Sequence, residues 1–285
     1  MREWCMRVAG IVAVVLGMSG IAEASTIVWG NNATFRNVTL EAFDMDTGAL
    51  VQQFLAPNPL AVIDNGRGIA VVGTTIYYSV ADRGEIFVTD SVSHLDLGIA
   101  FNTGLSGVAN IAWDGTALWI TGYNGTNNAY RYATDGTLLQ TVLGFGNSRD
   151  GFEIAGNRII ANRGDAVGPY DLYDLNGVLV QSAFITTNFS PTGITFDGTN
   201  YYVSDLSNNR IATYDINGVF VQSQLLGGPL PLTCCGRLLE DLSSLGNIPE
   251  NPPGDGNPVV PEPGTLFLVG TGLAGLAAQR RRTKI

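Results

Sequence analysis

A periodicity constrains this chain more than any other feature. A turn glycine followed four residues later by glutamine occurs in "TGALVQQ", "DGTLLQT", "NGVLVQS" and "NGVFVQS". The glycines are Gly48, Gly136, Gly177 and Gly218, spaced by 88, 41 and 41 residues. The first interval holds two periods of 44, with a degenerate copy near Asp90 to His94 between them. A second set, Gly73, Gly115, Gly156 and Gly198, recurs out of phase at intervals of 42, 41 and 42. Short apolar runs flank each turn, as in "NIAW" before Gly115 and "ALWI" after it. Asp-Gly and Asn-Gly pairs between alternating apolar runs mark tight hairpins, because the turn needs positive φ.

Each period therefore contains four short strands joined by tight turns on one side and longer connections on the other. A single sheet of about 40 residues cannot bury both faces, but a ring of them can, so the pattern predicts an all-β fold, a β-propeller of four-stranded blades. Four full blades are expected at about 66–100, 107–143, 150–185 and 192–226. Residues 26–55 supply three strands without an inner one, and "GRLLEDLSSL", Gly236 to Leu245, offers a last inner strand. The count is then five, with the first blade built from both ends of the body; six blades is the alternative.

The clearest copy, "YYVSDLSNNRIATYDINGVFVQS", carries Val203-x-Asp205, Asn209-Arg210-Ile211 and Asp215-x-x-Gly218. It resembles an NHL-type propeller repeat, and "VADRGEIFVTD" is a looser match. That resemblance implies the propeller class, with six blades as the usual number.

Binding residues gather on loops carried by a rigid scaffold. The longer connections supply Asp82 and Arg83; Tyr123, Asn124, Asn127 and Asn128; Arg163 and Asp165; and Asp205, Asn208, Asn209 and Arg210. Polar loops are also what turn chemistry alone demands. Aligning the inner strands on Ile69, Ile111, Phe152, Ile194 and Leu239 places Arg67, Asp150, Glu153, Arg237 and Glu240 at the mouth of a central channel. Such a channel suits an anionic sugar, an acyl group or a metal, or an internal charge network.

The two ends of the chain carry addresses. Arg2 and Arg7 precede an apolar run from Val8 to Ile21 and the small-x-small "AEA" at Ala22 to Ala24. This is the pattern of a secretory signal peptide over residues 1–24, cut before Ser25. The body spans 25–246, and the Pro/Gly/Asn-rich "NIPENPPGDGNPVV", residues 247–260, reads as a linker that cannot bury enough apolar surface to fold. Residues 261–285 then set Pro261-Glu262-Pro263 before an apolar run from Thr265 to Ala278, with Arg280, Arg281, Arg282 and Lys284 behind it. This order resembles the PEP-CTERM sorting signal of Gram-negative bacteria that secrete exopolysaccharide. The resemblance implies an exosortase as partner, a short transmembrane helix with a basic cytoplasmic end, transient inner-membrane anchoring, and release to the cell surface or a biofilm matrix.

Composition narrows the chemistry. Residues 25–261 hold nine arginines and 22 acidic residues, a net charge of −13, which disfavours nucleic acid and anionic membranes. Cys5 lies in the signal region, leaving only the adjacent Cys234 and Cys235, either a strained vicinal disulfide or two thiols. His94 is the only histidine, which removes His-pair metal sites and a His-based acid–base at the channel. No zinc spacing, P-loop or dinucleotide fingerprint is present. "DMDTG" and "DINGV" resemble calcium-loop fragments but lack the terminal Glu, so no cofactor is required and calcium stays open. "RGD" at Arg163 to Asp165 is a common match by chance, and the sequons at Asn37, Asn124 and Asn188 carry little meaning in a bacterium without the matching transferase. Tyr123 and Tyr130 flank an exposed loop and are the better stacking candidates, whereas Trp113, Trp119, Tyr201 and Tyr202 fit blade packing.

The favoured expectation is a non-enzymatic binding or structural module for a glycan or matrix protein. The alternative is a lactonase-like propeller hydrolase or lyase using channel carboxylates and a divalent cation.

Overall fold

The computed structural model describes residues 25–33, 38–58, 65–122, 128–144, 151–162, 168–228 and 237–245. Every regular element among them is a strand. The chain opens with β1 (Ile27–Asn32), β2 (Thr39–Asp44) and β3 (Leu50–Leu55). Blade two is β4 (Gly66–Val72), β5 (Thr75–Val80), β6 (Glu85–Asp90) and β7 (Asp96–Asn102). Blade three is β8 (Val108–Trp113), β9 (Leu118–Gly122), β10 (Ala129–Tyr132) and β11 (Leu138–Val142). Blade four is β12 (Phe152–Ala155), β13 (Arg158–Asn162), β14 (Tyr170–Asp174) and β15 (Leu179–Ile185). Blade five is β16 (Pro191–Phe196), β17 (Tyr201–Asp205), β18 (Arg210–Tyr214) and β19 (Phe220–Leu225). The last strand, β20 (Leu239–Ser244), pairs antiparallel with β1 and completes blade one in the order β20-β1-β2-β3.

The five inner strands close a ring. Strand β4 packs on β8, β8 on β12, β12 on β16, β16 on β20, and β20 back on β4. The propeller thus has five four-stranded blades, not six, with blade one drawn from both ends of the body. The repeat glycines adopt the positive φ that their turns demand, from 60° at Gly156 to 98° at Gly198.

One apolar cluster fills each seam between blades. Trp29, Leu40, Ile69 and Tyr78 join blades one and two. Ala70, Ile86, Ile111 and Leu118 join two and three. Trp119, Phe152 and Ile159 join three and four; Ile160, Tyr170 and Val203 join four and five. Tyr202, Ile211, Val28 and Leu242 close the circle. Each sheet is therefore buried on both faces, which explains why its inner strands read as nearly continuous apolar runs. Each fully buried large side chain contributes about 1.5–3 kcal/mol.

The recurrent glutamine has a physical role. Gln52 Nε2 donates to the Ser91 carbonyl in the next blade's β6–β7 turn, and Gln140 Nε2 donates to the Leu175 carbonyl in the β14–β15 turn. In blade five the residue that makes this bridge is Gln224, bonded to the Thr47 carbonyl of blade one at 3.0 Å. These bonds run from an outer strand to the neighbouring turn and follow the ring round.

Much of the negative charge is used inside turns. Asp90 Oδ1 accepts from the Val92 and Ser93 amides, Asp174 Oδ1 from Asn176 and Val178, and Asp215 Oδ1 from Asn217 and Val219. Backbone N–H groups of Ser93, Val178 and Val219 favour the ionised forms and hold these carboxyls below the usual range, Asp90 at about 2.

Candidate functional site

The inner strands place one carboxyl on the ring axis. Asp241 Oδ2 accepts from the Ile69 amide of blade two at 2.9 Å and the Ile111 amide of blade three at 3.0 Å. Its Oδ1 accepts from the Leu242 amide at 3.0 Å. The side chain thus crosses from blade one to two other blades, and the axis is bridged at this level. Glycines make the room: a Cβ on Gly68 would stand 2.6 Å from Ile111 Cγ1, and one on Gly193 would stand 2.6 Å from Asp241 Cα. Burial pushes the Asp241 carboxyl well up, against the pull of the Ile111 and Ile69 amides, and the Glu153 charge pushes the same way. Glu153 is itself buried, with Oε1 bonded to the Ile154 amide at 2.7 Å.

This geometry corrects the expected register of the last inner strand. Asp241 lies opposite Asn31 on β1, just as Asn110 lies across from Thr121 on β9. Leu242, not Leu239, is therefore the equivalent of Ile69 and Ile111. Leu239 instead sits opposite Asn32 in the blade five–blade one seam, level with Gly66, Val108 and Pro191, and the bulge that follows it recurs in blades two, three and five. Glu240 moves level with Arg67, and the two pair at 3.0 Å between Nη1 and Oε1.

Arg237 is displaced from the axis altogether. Its Nε donates to Glu41 Oε2 on β2, its Nη1 donates to Asn209 Oδ1 at 2.7 Å, and its guanidinium lies 4.8 Å from the Phe43 ring centroid. Glu41 Oε1 also accepts from Asn32, Thr39 and Gln53. The pair is a clasp between the chain's return segment, blade one and blade five, and faces no channel. Asp150 lies outside the described residues.

The long loops divide by role. Asp82 turns the chain at φ 58°, and the Arg83 carbonyl accepts from the Val108 amide. Asn128 ties its own blade through Tyr130 Oη and the Gly144 amide. Asn209, at φ 53°, bonds the Leu226 carbonyl as well as Arg237. Tyr123, Asn124, Asn127, Arg163 and Asp165 lie outside the described residues, as do Cys234, Cys235 and residues 246–285.

Asp205, Asn208 and Arg210 are brought together. They line a solvent-facing pocket of ≈ 570 Å³ on blade five with Asn188, Phe189, Phe220, Ser223 and Leu225. The β15–β16 connection, the β17–β18 connection and the outer strand β19 form its walls. Asp205 accepts from Asn208 Nδ2 at 3.0 and 2.8 Å and from the Ser207 amide at 3.2 Å. Phe220 is 55% exposed and makes an edge contact with Tyr214. Sequence reasoning missed the contribution of β19. The available signal was Phe220 itself, an aromatic where the other copies of the repeat carry aliphatic residues such as Leu138 and Leu179.

His94 sits at the outer seam of blades one and two. Its ring stacks on Phe54 at 4.0 Å between centroids and meets Gln52 Nε2. Among the described residues no group of three or more His, Cys, Asp and Glu side chains is placed to hold a metal ion, and no helix is long and apolar enough to cross a membrane.

Residues 259–282 match the PEP-CTERM protein-sorting motif. The motif implies recognition by an exosortase and export to the cell envelope or surface. No curated protein matches the chain. Among solved structures, a chain in the crystal structure of a nidogen/laminin complex superposes with a TM-score of 0.51 at 11% identity, covering 78% of this chain and 98% of that one. This likeness concerns the fold alone. A functionally unknown protein from Desulfotomaculum acetoxidans gives a TM-score of 0.40 at 14% identity over 72% of this chain and 67% of that one.

Proposed function

We propose that the propeller is a binding module delivered to the outside of the cell, where it holds a glycan of the surface or matrix. Residues 1–24 direct export and are removed. Residues 261–285 hold the chain briefly in the inner membrane until the exosortase acts, and residues 247–260 keep the ring clear of the bilayer. The blade-five pocket is the binding site. The observation that carries this reading is that pocket's composition: amide, hydroxyl, guanidinium and two aromatic rings, open to solvent, on a protein that bears a sorting motif.

The rival reading, a metal-dependent hydrolase or lyase on axial carboxylates, asks more of the molecule. Glu153 is 1% exposed and Asp241 0%, and backbone amides occupy both Asp241 oxygens. A glycan array probed with the purified full chain, with and without calcium, alongside a lactone and ester hydrolysis panel, separates the two. Saturable glycan binding without turnover supports the module. Calcium-dependent turnover lost in Glu153→Gln overturns it.

A further inference from the structure

We infer that the blade-five pocket selects a carboxylated sugar, a uronate unit, and that Arg210 reads the carboxylate; this rests on the glycan-binding reading above. Asp205 and Arg210 lie directly opposite each other on β17 and β18. A cross-strand pair of opposite charge normally closes on itself. Here Asn208 takes both Asp205 oxygens through its Nδ2, and the Ser207 amide adds a third bond. Arg210 is left exposed on the pocket wall with no carboxylate partner among the described residues, whereas Arg67, Arg131 and Arg237 are each paired.

An unpaired guanidinium on so acidic a body is a positive point in a negative field. Its planar fork matches a carboxylate in two parallel hydrogen bonds. A single cation with Asp205 nearby suits a monoanion better than a phosphate dianion. Phe189 and Phe220 line the pocket and supply the apolar surface that the C–H side of a pyranose needs, and Asn188 and Ser223 supply polar groups for its hydroxyls. Asn208 acts as a positioning residue, because it keeps Asp205 from capturing Arg210.

The test is calorimetric titration of the full chain in mild detergent with oligogalacturonate, the same oligomer after reduction of its carboxyls, and a sulfated neutral oligomer of equal length. The expected result is saturable binding of the uronate, weakened about tenfold or more by carboxyl reduction and by Arg210→Gln, with Arg210→Lys between. Asn208→Ala weakens uronate binding in the same direction while leaving the melting temperature of the ring unchanged. Equal binding of neutral and acidic oligomers, indifferent to Arg210→Gln, overturns the uronate assignment and leaves the glycan reading standing. Preference for the sulfated oligomer overturns the carboxylate. Binding of none of the three overturns both.

Discussion

Arg237 and Glu41, 196 positions apart in the chain, form an ion pair in which both side chains are wholly buried. Glu41 also takes three hydrogen bonds from Asn32, Thr39 and Gln53, so the carboxylate is satisfied within blade one before the arginine arrives. The returning segment must deliver Arg237 to that spot for β20 to start in register. Removing one partner leaves a buried charge and costs about 3–5 kcal/mol. Glu41→Gln and Arg237→Met should each lower stability by that order in urea unfolding, and the double variant should lose less than the sum of the two.

The ring axis is close-packed around Asp241. Gly193→Ala drives a Cβ against the Asp241 backbone and should destabilise by about 1–3 kcal/mol. Asp241→Ala orphans three amide donors and should cost more than Asp241→Asn, which keeps one acceptor oxygen. Denaturant midpoints of the three variants check the order.

Stability should depend on pH in two opposite ways. The turn carboxyls of Asp90, Asp174 and Asp215 are held down by backbone amides, so the folded state binds fewer protons than the unfolded one near pH 4. Their contribution is present above about pH 4 and is lost as pH falls through their lowered folded values, about 2 for Asp90. Asp241 has the reverse sign. Its carboxyl is pushed up by burial, so its contribution is present below about pH 4 and fades as pH rises through its folded value. Urea midpoints measured from pH 2 to 8 should pass through a maximum. Asp241→Asn should remove the decline on the higher-pH side and leave the acid limb unchanged.

Sorting should require the tail but not the pocket. Replacing Glu262 with Ala should leave the protein in the inner-membrane fraction, whereas Arg210→Gln should reach the surface normally. Cell fractionation in a host with the exosortase, and in one without it, reads the difference. Mass spectrometry of the exported chain should find Ser25 as its first residue.

The ring was legible because its signal is local and repeated. Gly73, Gly115, Gly156 and Gly198 each mark a hairpin whose geometry depends on a few neighbouring residues, so their spacing marks out four blades, and the fifth follows from the strands left over at the two ends. The register of β20 was not legible. Its antiparallel partner is β1, more than 200 residues away, and an apolar residue stands at both Leu239 and Leu242; only the pairing with β1 decides between them. The clasp of Arg237 was hidden for the same reason, because nothing in linear order relates it to Glu41. The loop residues Asp205, Asn208 and Arg210 could be picked out by type and position. Which of them would bond to each other could not, since Asn208 settles that by donating to both Asp205 oxygens.

On the reading proposed above, blade five binds a saccharide and does not transform it. The direct measurement is titration of the full chain with oligogalacturonate, followed by product analysis of the same mixture by mass spectrometry, with and without calcium. Saturable binding weakened by Arg210→Gln, with the oligomer recovered intact, is the predicted result. Calcium-dependent cleavage that survives Arg210→Gln and vanishes in Glu153→Gln would contradict it.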